Sequence, residues 1–301
     1  MKLFAGIDGG QTSTIAVVAD DGGTIVGRGI AGPCDHIGQS PDSRRFAQAL
    51  EDAVGDALRD ASLPQESSLT AVVAGISGYE GELTGVAPRL RSKRVRYVHD
   101  AVIAHAAAFA QRAGIVIVAG TGSVAYGRDP SGAEATVGGW GFLFGDEGSA
   151  FSIARSALSA AMRAQDAGER STLAEAARRF FGTADLRALA RDFYLERIDR
   201  PMLAGFATCV LPLAEAGEAQ AAAVVRSAAA SLAGLAAACA ARLEWSDAPG
   251  VALVGGTFAS VHFRAEVASA IAAVLPQSPL AHAAVEPAEG AVFLARTEKL
   301  K

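Results

Sequence analysis

Short apolar runs cut by glycine-rich turns open the chain. Residues 3–7 are largely apolar, Gly9, Gly10, Gln11, Thr12 and Ser13 interrupt, and residues 15–19 are apolar again. Asp20, Asp21, Gly22 and Gly23 then form a hairpin signal before residues 24–28. Apolar runs bounded by Gly, Asp and Ser read as strands, so this stretch predicts three strands joined by turns. The pattern then changes period. Phe46, Leu50, Val54 and Leu58 recur every four residues and predict a helix over 43–60. A buried strand over 69–76, a helix over 81–90, a short strand over 95–98 and a helix over 101–112 follow.

The opening order then returns. Residues 115–119 are apolar, Gly120, Thr121, Gly122 and Ser123 interrupt, 124–127 are strand-like, and Asp129, Pro130, Ser131 and Gly132 make a turn before 134–137. Two occurrences of strand, Gly/Thr/Ser turn, strand and hairpin predict an internal duplication: two α/β halves facing each other across a cleft. The expected domains are 1–114 and 115–301, with the last helix packing back on the first. Beyond residue 140 the pattern is mainly helical to about 243, with an amphipathic helix over 144–164 through Phe151, Ala154, Leu158 and Met162. Residues 251–260 again read strand, glycine turn, helix start, and a helix over 289–296 closes the chain.

Composition narrows the partners. Of 301 residues half are hydrophobic and a fifth charged, enough for a sizeable core. The net charge of −5 argues against nucleic acid and anionic membrane. Cys34, Cys209 and Cys239 are isolated, which points to a reducing compartment, and no histidine pair has zinc-site spacing. The start lacks a signal-peptide apolar core, and Arg226 and Arg242 bracket the most apolar stretch, so a cytoplasmic protein with a buried helix there is expected. Glycine is the outlier: 33 residues with no G-X-Y period.

Three glycine turns follow buried strands, at 8–13, 120–123 and 255–260. Such turns let backbone N–H groups approach an anion, and Thr or Ser hydroxyls add donors; together they fit a polyphosphate. No GxxxxGK[ST] occurs, and the Gly120-x-Gly122-x-x-Ala125 pattern leads into a turn rather than the helix a dinucleotide site requires. Asp8 ends an apolar strand, where a carboxylate either caps the turn or helps hold Mg²⁺ through water. Asp100 stands between a strand and a helix, an N-cap position that also suits a general base at a strand's C-terminal end. In residues 138–150, Trp140 among glycines suits a sugar face, and Asp146 or Ser149 is placed to cap the next helix.

The segments GIDGGQTST (6–14), HDAVIAHAAA (99–108), VAGTGS (118–123), GGWGFLFGDEGSA (138–150), LAGFA (203–207), VALVGG (251–256) and PAEGA (287–291) carry a resemblance covering nearly the whole chain. It resembles the sugar-kinase, Hsp70 and actin ATPase superfamily, and within it the BadF/BadG/BcrA/BcrD group, on the N-acetylglucosamine kinase branch. The resemblance implies two duplicated ribonuclease H-like, actin-like ATPase domains flanking an inter-domain cleft. It implies an ATP- and Mg²⁺-dependent kinase, homodimeric, acting on the 6-hydroxyl of N-acetylglucosamine or a related hexosamine.

Residue by residue, the resemblance implies that Asp100 takes the proton of the sugar hydroxyl and Asp8 helps place the metal. Gly9, Gly10, Gln11, Thr12, Thr121 and Gly122 would hold the phosphates, and Ala204, Gly255 and Gly256 would flank adenosine. Ser123, Gly139, Trp140, Gly141 and Asp146 would line the sugar site. Asp35 departs from the Asn usual in the family; a carboxylate only accepts hydrogen bonds, which would suit a free amino sugar. Sugar binding is expected to close the two halves against water. Rival readings are a glucosamine or N-acetylmuramic acid kinase, an ATPase activator whose shared iron–sulfur cluster the isolated cysteines fit poorly, and a sensor without turnover.

Overall fold

Both faces of the first sheet are buried, and the continuous apolar runs are the reason. The computed structural model describes residues 2–34 and 40–297. The first half comprises β1 (Phe4–Gly9), β2 (Thr14–Ala19), β3 (Ile25–Ala31), α1 (Arg45–Asp60), β4 (Ala71–Ile76), β5 (Val95–His99) and α2 (Asp100–Phe109). Then come β6 (Gly114–Ala119), β7 (Ser123–Arg128), β8 (Glu134–Gly138), α3 (Gly141–Phe144), α4 (Ala150–Asp166), α5 (Thr172–Phe181), α6 (Leu186–Tyr194), α7 (Arg200–Gly205), α8 (Ala207–Glu215) and α9 (Ala219–Ala240). The chain ends through β9 (Val251–Val254), a 3₁₀ turn (Gly256–Ala259), α10 (Val261–Val274), β10 (Leu280–Ala281) and α11 (Pro287–Thr297).

The first sheet has the order β3-β2-β1-β4-β5, with an antiparallel β1-β2-β3 meander and β1, β4 and β5 parallel. The second has the order β10-β9-β6-β7-β8. Read from its β8 end, the second order repeats the first, so the sequence repeat is a repeat of topology. The chain forms two compact units. One holds the residues up to Val116, Tyr126–Ala133 and the chain from Ala281 on; the other holds Ile117–Ala125 and Glu134–Leu280.

In the first unit, strand alternation sends Leu3, Ala5 and Ile7 to one face, where Phe46, Leu50, Val54 and Leu58 of α1 cover them. Phe4 and Val73 face the other way, against Ile103 of α2 and Ala291 and Leu294 of α11. Helix α11 lies directly on β1: a Cβ on Gly6 would run into the Ala288 carbonyl and the Val292 amide. Arg28 of β3 pins the start of α11 by pairing with Glu286 at 2.6 Å and with Glu289.

In the second unit, α9 is long and apolar enough to cross a membrane by length and composition. Its buried positions (Ala221, Val225, Ala228, Leu232, Ala236 and Cys239) step by three or four residues along one face. It packs on α8, α10 and β8.

Two expected helices differ. Residues 81–90 form no helix, because Gly81 and Gly85 sit at φ +101° and +100° and Pro88 lacks an amide proton. The Val86 amide bonds instead to the Ser43 carbonyl at 3.0 Å. The helix expected over 144–164 is broken: α3 ends at Phe144 and α4 begins at Ala150, with Asp146 left-handed at φ +60° between them.

Candidate active site

In the first unit, Asp8 stands at the end of β1, where the chain leaves the sheet into the glycine turn. That turn is tied on three sides: the Ser77 amide donates to the Gly9 carbonyl at 3.0 Å, Cys34 to Gly10 at 3.0 Å, and Gly10 to Ser13 at 3.0 Å. A side chain on Gly9 would meet Cys34 Sγ and Ile76 Cδ1, each at 2.8 Å. Burial, reinforced by the negative charges of Asp100 and Glu286, pushes the Asp8 carboxyl up to about 7. A buried carboxylate held there by two other carboxylates is an environment short of positive charge. That fits a divalent cation at Asp8, with water completing its shell.

Asp100 is the first residue of α2 and does not cap it. The N-cap is His99, whose Nδ1 accepts from the Ala101 amide at 3.2 Å, so the cap assigned to Asp100 belongs one residue earlier. The reason is local: His99 is extended at φ −62°, ψ 142°, while Asp100 is already helical. Asp100 Oδ1 is buried and, among the described residues, takes no aligned hydrogen bond, although His99 Nδ1 lies 2.7 Å from it. The Asp100 side chain is still 19% exposed, so its accessible part is other than Oδ1.

In the second unit, the turns gather at the C-terminal end of β6. Gly120 closes the turn through its amide to the Gly122 carbonyl at 2.9 Å and accepts from Ala150, the first residue of α4, at 2.8 Å. Gly255 sits at φ +120°, and a Cβ there would strike the backbone of Ala119. Thr257 clamps the same spot by donating its hydroxyl to the Ala119 carbonyl at 2.7 Å. Thus Gly120–Ser123 and the turn beginning at Gly255 are built against one strand end.

Asp146 braces this end. Its Oδ1 accepts the Ser123 amide at 3.1 Å and its Oδ2 meets Arg200 Nη2 at 2.5 Å. Arg200 in turn lies over the rings of Phe142 and Phe151, 5.1 and 5.6 Å from their centroids. The Ser123 hydroxyl donates to the Glu147 carbonyl at 2.8 Å. Both side chains are buried and committed to protein partners, which makes them the frame of the turn. Ser149 caps α4, accepting from the Ser152 amide. Trp140 is the opposite case: it is 76% exposed, between Gly139 and Gly141, with Leu143 and Phe144 exposed beside it.

The structure therefore brings Asp8, Gly9, Gly10 and Asp100 to one region of the first unit. It brings Thr121, Gly122, Ser123, Asp146 and Gly255 to one region of the second. Ala204 is buried in α7, and no hydrogen bond among the described residues ties it to these turns. Asp35 lies outside the described residues.

Sequence reasoning missed three residues: His99, Glu286 and Arg200. His99 was legible as the neighbour of Asp100, whereas Arg200 is 54 residues from Asp146 and carries no local signal. A broad groove of about 900 Å³ between α4 and α9 touches this region only at Glu147 and Gly148. It contains none of the glycine turns.

The model of the BadF/BadG/BcrA/BcrD ATPase family matches residues 5–295. The chain is 30% identical over 181 residues to a Clostridium acetobutylicum protein named N-acetylmuramic acid/N-acetylglucosamine kinase, 58% of each chain. It is 27% identical over 179 residues to the N-acetyl-D-glucosamine kinase of Dictyostelium discoideum, 55% of this chain and 56% of the other. These matches span little more than half the length of either relative. Among solved structures, a proposed N-acetylglucosamine kinase from Chromobacterium violaceum superposes with a TM-score of 0.78 at 24% identity, over 98% of this chain and 99% of that one. A Streptomyces griseus ROK family glucokinase superposes at 0.61 with 17% identity, over 97% and 98%. The fold is the duplicated α/β, actin-like ATPase fold of sugar kinases.

Proposed function

The chain belongs to the BadF/BadG/BcrA/BcrD ATPase family, and on that premise we propose that it is an ATP-dependent kinase phosphorylating the 6-hydroxyl of N-acetylglucosamine or a related hexosamine. The observation that carries the reading is Asp100, a carboxylate at the C-terminal end of β5 whose side chain stays 19% exposed while its Oδ1 is buried beside His99. Its accessible oxygen is placed to accept a substrate proton, unlike Asp146, which is buried with both oxygens taken. Relatives named for N-acetylglucosamine and N-acetylmuramic acid support the substrate class.

Phosphoryl transfer asks a protein mainly for positioning and charge stabilisation. Asp100 accepts the hydroxyl proton. The amides of Gln11 and Thr12 in one turn, where Gly9 and Gly10 carry no side chain, and of Thr121 and Gly122 in another bind phosphate oxygens, and the Thr hydroxyls add donors. Gly255 packs the turn onto Ala119 so that Gly256, with open space where a side chain would stand, leaves its backbone open to a nucleoside, and Trp140 offers a sugar ring an apolar face. Asp8 would hold Mg²⁺, which when bound neutralises phosphate charge. On the same reading the protein is a cytoplasmic homodimer, the association being testable by sedimentation.

The test is ATP consumption with Mg²⁺ against N-acetylglucosamine, glucosamine, N-acetylmannosamine, N-acetylmuramic acid and glucose. Consumption that rises only with a hexosamine supports the reading and names the sugar. Consumption indifferent to every sugar overturns it in favour of a plain ATPase.

A further inference from the structure

His99 Nδ1 stands between two partners it cannot serve at once. The Ala101 amide, at 3.2 Å, needs the nitrogen's lone pair; Asp100 Oδ1, at 2.7 Å, is bound only if that nitrogen carries a proton. The amide is the aligned partner and, among the described residues, Oδ1 takes no aligned bond, so the arrangement is that of a neutral ring capping α2 with a carboxylate oxygen 2.7 Å away. Protonation would exchange one partner for the other.

We propose that His99 is a positioning residue that receives, through Asp100, the proton released from the substrate hydroxyl. The inference rests on the kinase reading above. As the hydroxyl oxygen bonds to the γ-phosphorus, the bond from phosphorus to the bridging oxygen breaks and its electron pair leaves with the nucleoside diphosphate. The hydroxyl proton passes to the accessible oxygen of Asp100, Oδ2; rotation of the carboxyl group about Cβ–Cγ then brings that proton to His99 Nδ1, which takes it, giving an imidazolium beside a regenerated carboxylate. The proton then leaves to water, since the His99 side chain is 19% exposed.

The surroundings favour this acceptor. Burial disfavours the imidazolium, but pairing with Asp100 and the charges of Asp100 and Glu80 outweigh burial and raise His99 above the ordinary histidine value. Among the described residues, the charges that act on His99 are those of Asp100 from α2 and Glu80 from the loop after β4. β4 itself carries no titratable side chain. The other histidine of α2, His105, is packed away against Phe109 and Tyr126.

His99→Asn separates the roles, because Asn caps a helix as well as any residue yet takes up no proton. Expected for His99→Asn are an unchanged unfolding midpoint, unchanged KM for ATP and sugar, and a kcat lower by about tenfold or more. The acidic limb of its kcat–pH profile should also change. Wild-type kcat across the pH range overturns the proposal. A second readout needs no turnover: NMR titration of His99 in wild type and in Asp100→Asn. A fall in the His99 midpoint on losing the carboxylate supports the pair, and an unmoved midpoint overturns it. If wild type phosphorylates no hexosamine, the kinase reading falls and the relay with it; a persisting coupled titration would mark that failure as one of function rather than geometry.

Discussion

Asp146 Oδ2 lies 2.5 Å from Arg200 Nη2, across 54 residues of chain, while its Oδ1 holds the Ser123 amide. The pair makes the Gly120–Ser123 turn a braced feature of the second unit. Removing one partner of a buried pair strands the other. Arg200→Ala should therefore cost roughly 3 kcal/mol, read by urea unfolding. Replacing both residues by uncharged ones of similar volume should restore much of that loss. A single-variant loss within experimental scatter would mean that the pair is solvated.

Asp100→Asn removes the proposed base and keeps its shape. Sugar and ATP binding, measured calorimetrically, should persist while transfer falls by roughly 10²-fold or more. Near-normal turnover would take Asp100 out of the mechanism.

Asp8 is expected to trade stability for function. Its folded carboxyl is raised from 3.8 to about 7 by burial and by Asp100 and Glu286. The folded state thus holds the proton longer than the unfolded one. Stability from this group is greatest below pH 3.8, falls as pH rises through the interval to about 7, and is flat above. The total is on the order of 4 kcal/mol. Asp8→Asn should raise the unfolding free energy above pH 7 in metal-free buffer, and Mg²⁺ should narrow the gap by stabilising only the native carboxylate. A destabilised Asp8→Asn at alkaline pH would contradict the cluster.

His105 has the opposite sign. It is buried, with Nε2 3.2 Å from the Gly114 carbonyl, and burial lowers it to about 4. The unfolded chain takes up the proton first as pH falls from 6.5, so stability is whole above 6.5 and is lost on the way down to about 4. The magnitude is roughly 3 kcal/mol. Because Asp8 and His105 run oppositely across one pH window, the wild-type profile should be flatter than that of either variant. His105→Gln should show a steeper loss of stability with rising pH, and an unchanged profile would refute the assignment.

Much of this protein was determined by its linear pattern. Gly, Asp and Ser punctuation after apolar runs located the strands, and their repetition foretold two sheets of one topology, because short-range turn chemistry and strand burial are local properties. The segment carrying Asp8, Gly9 and Gly10 was legible for the same reason, as was Asp100 at a strand–helix junction.

Only the tertiary structure decided what occupies these groups. Residues 81–90 have helical spacing, but the φ values of Gly81 and Gly85 and the Ser43 carbonyl hold them in a loop. Asp146 read as a cap or sugar ligand; Arg200, distant in sequence, claims its carboxylate. Asp100 reads as a cap or a general base; His99 caps instead, and among the described residues Asp100 Oδ1 takes no aligned hydrogen bond. A carboxylate's chemistry depends on burial and on partners that folding brings from far along the chain. Sequence spacing says which groups are present, and three-dimensional packing says which of them are already spent.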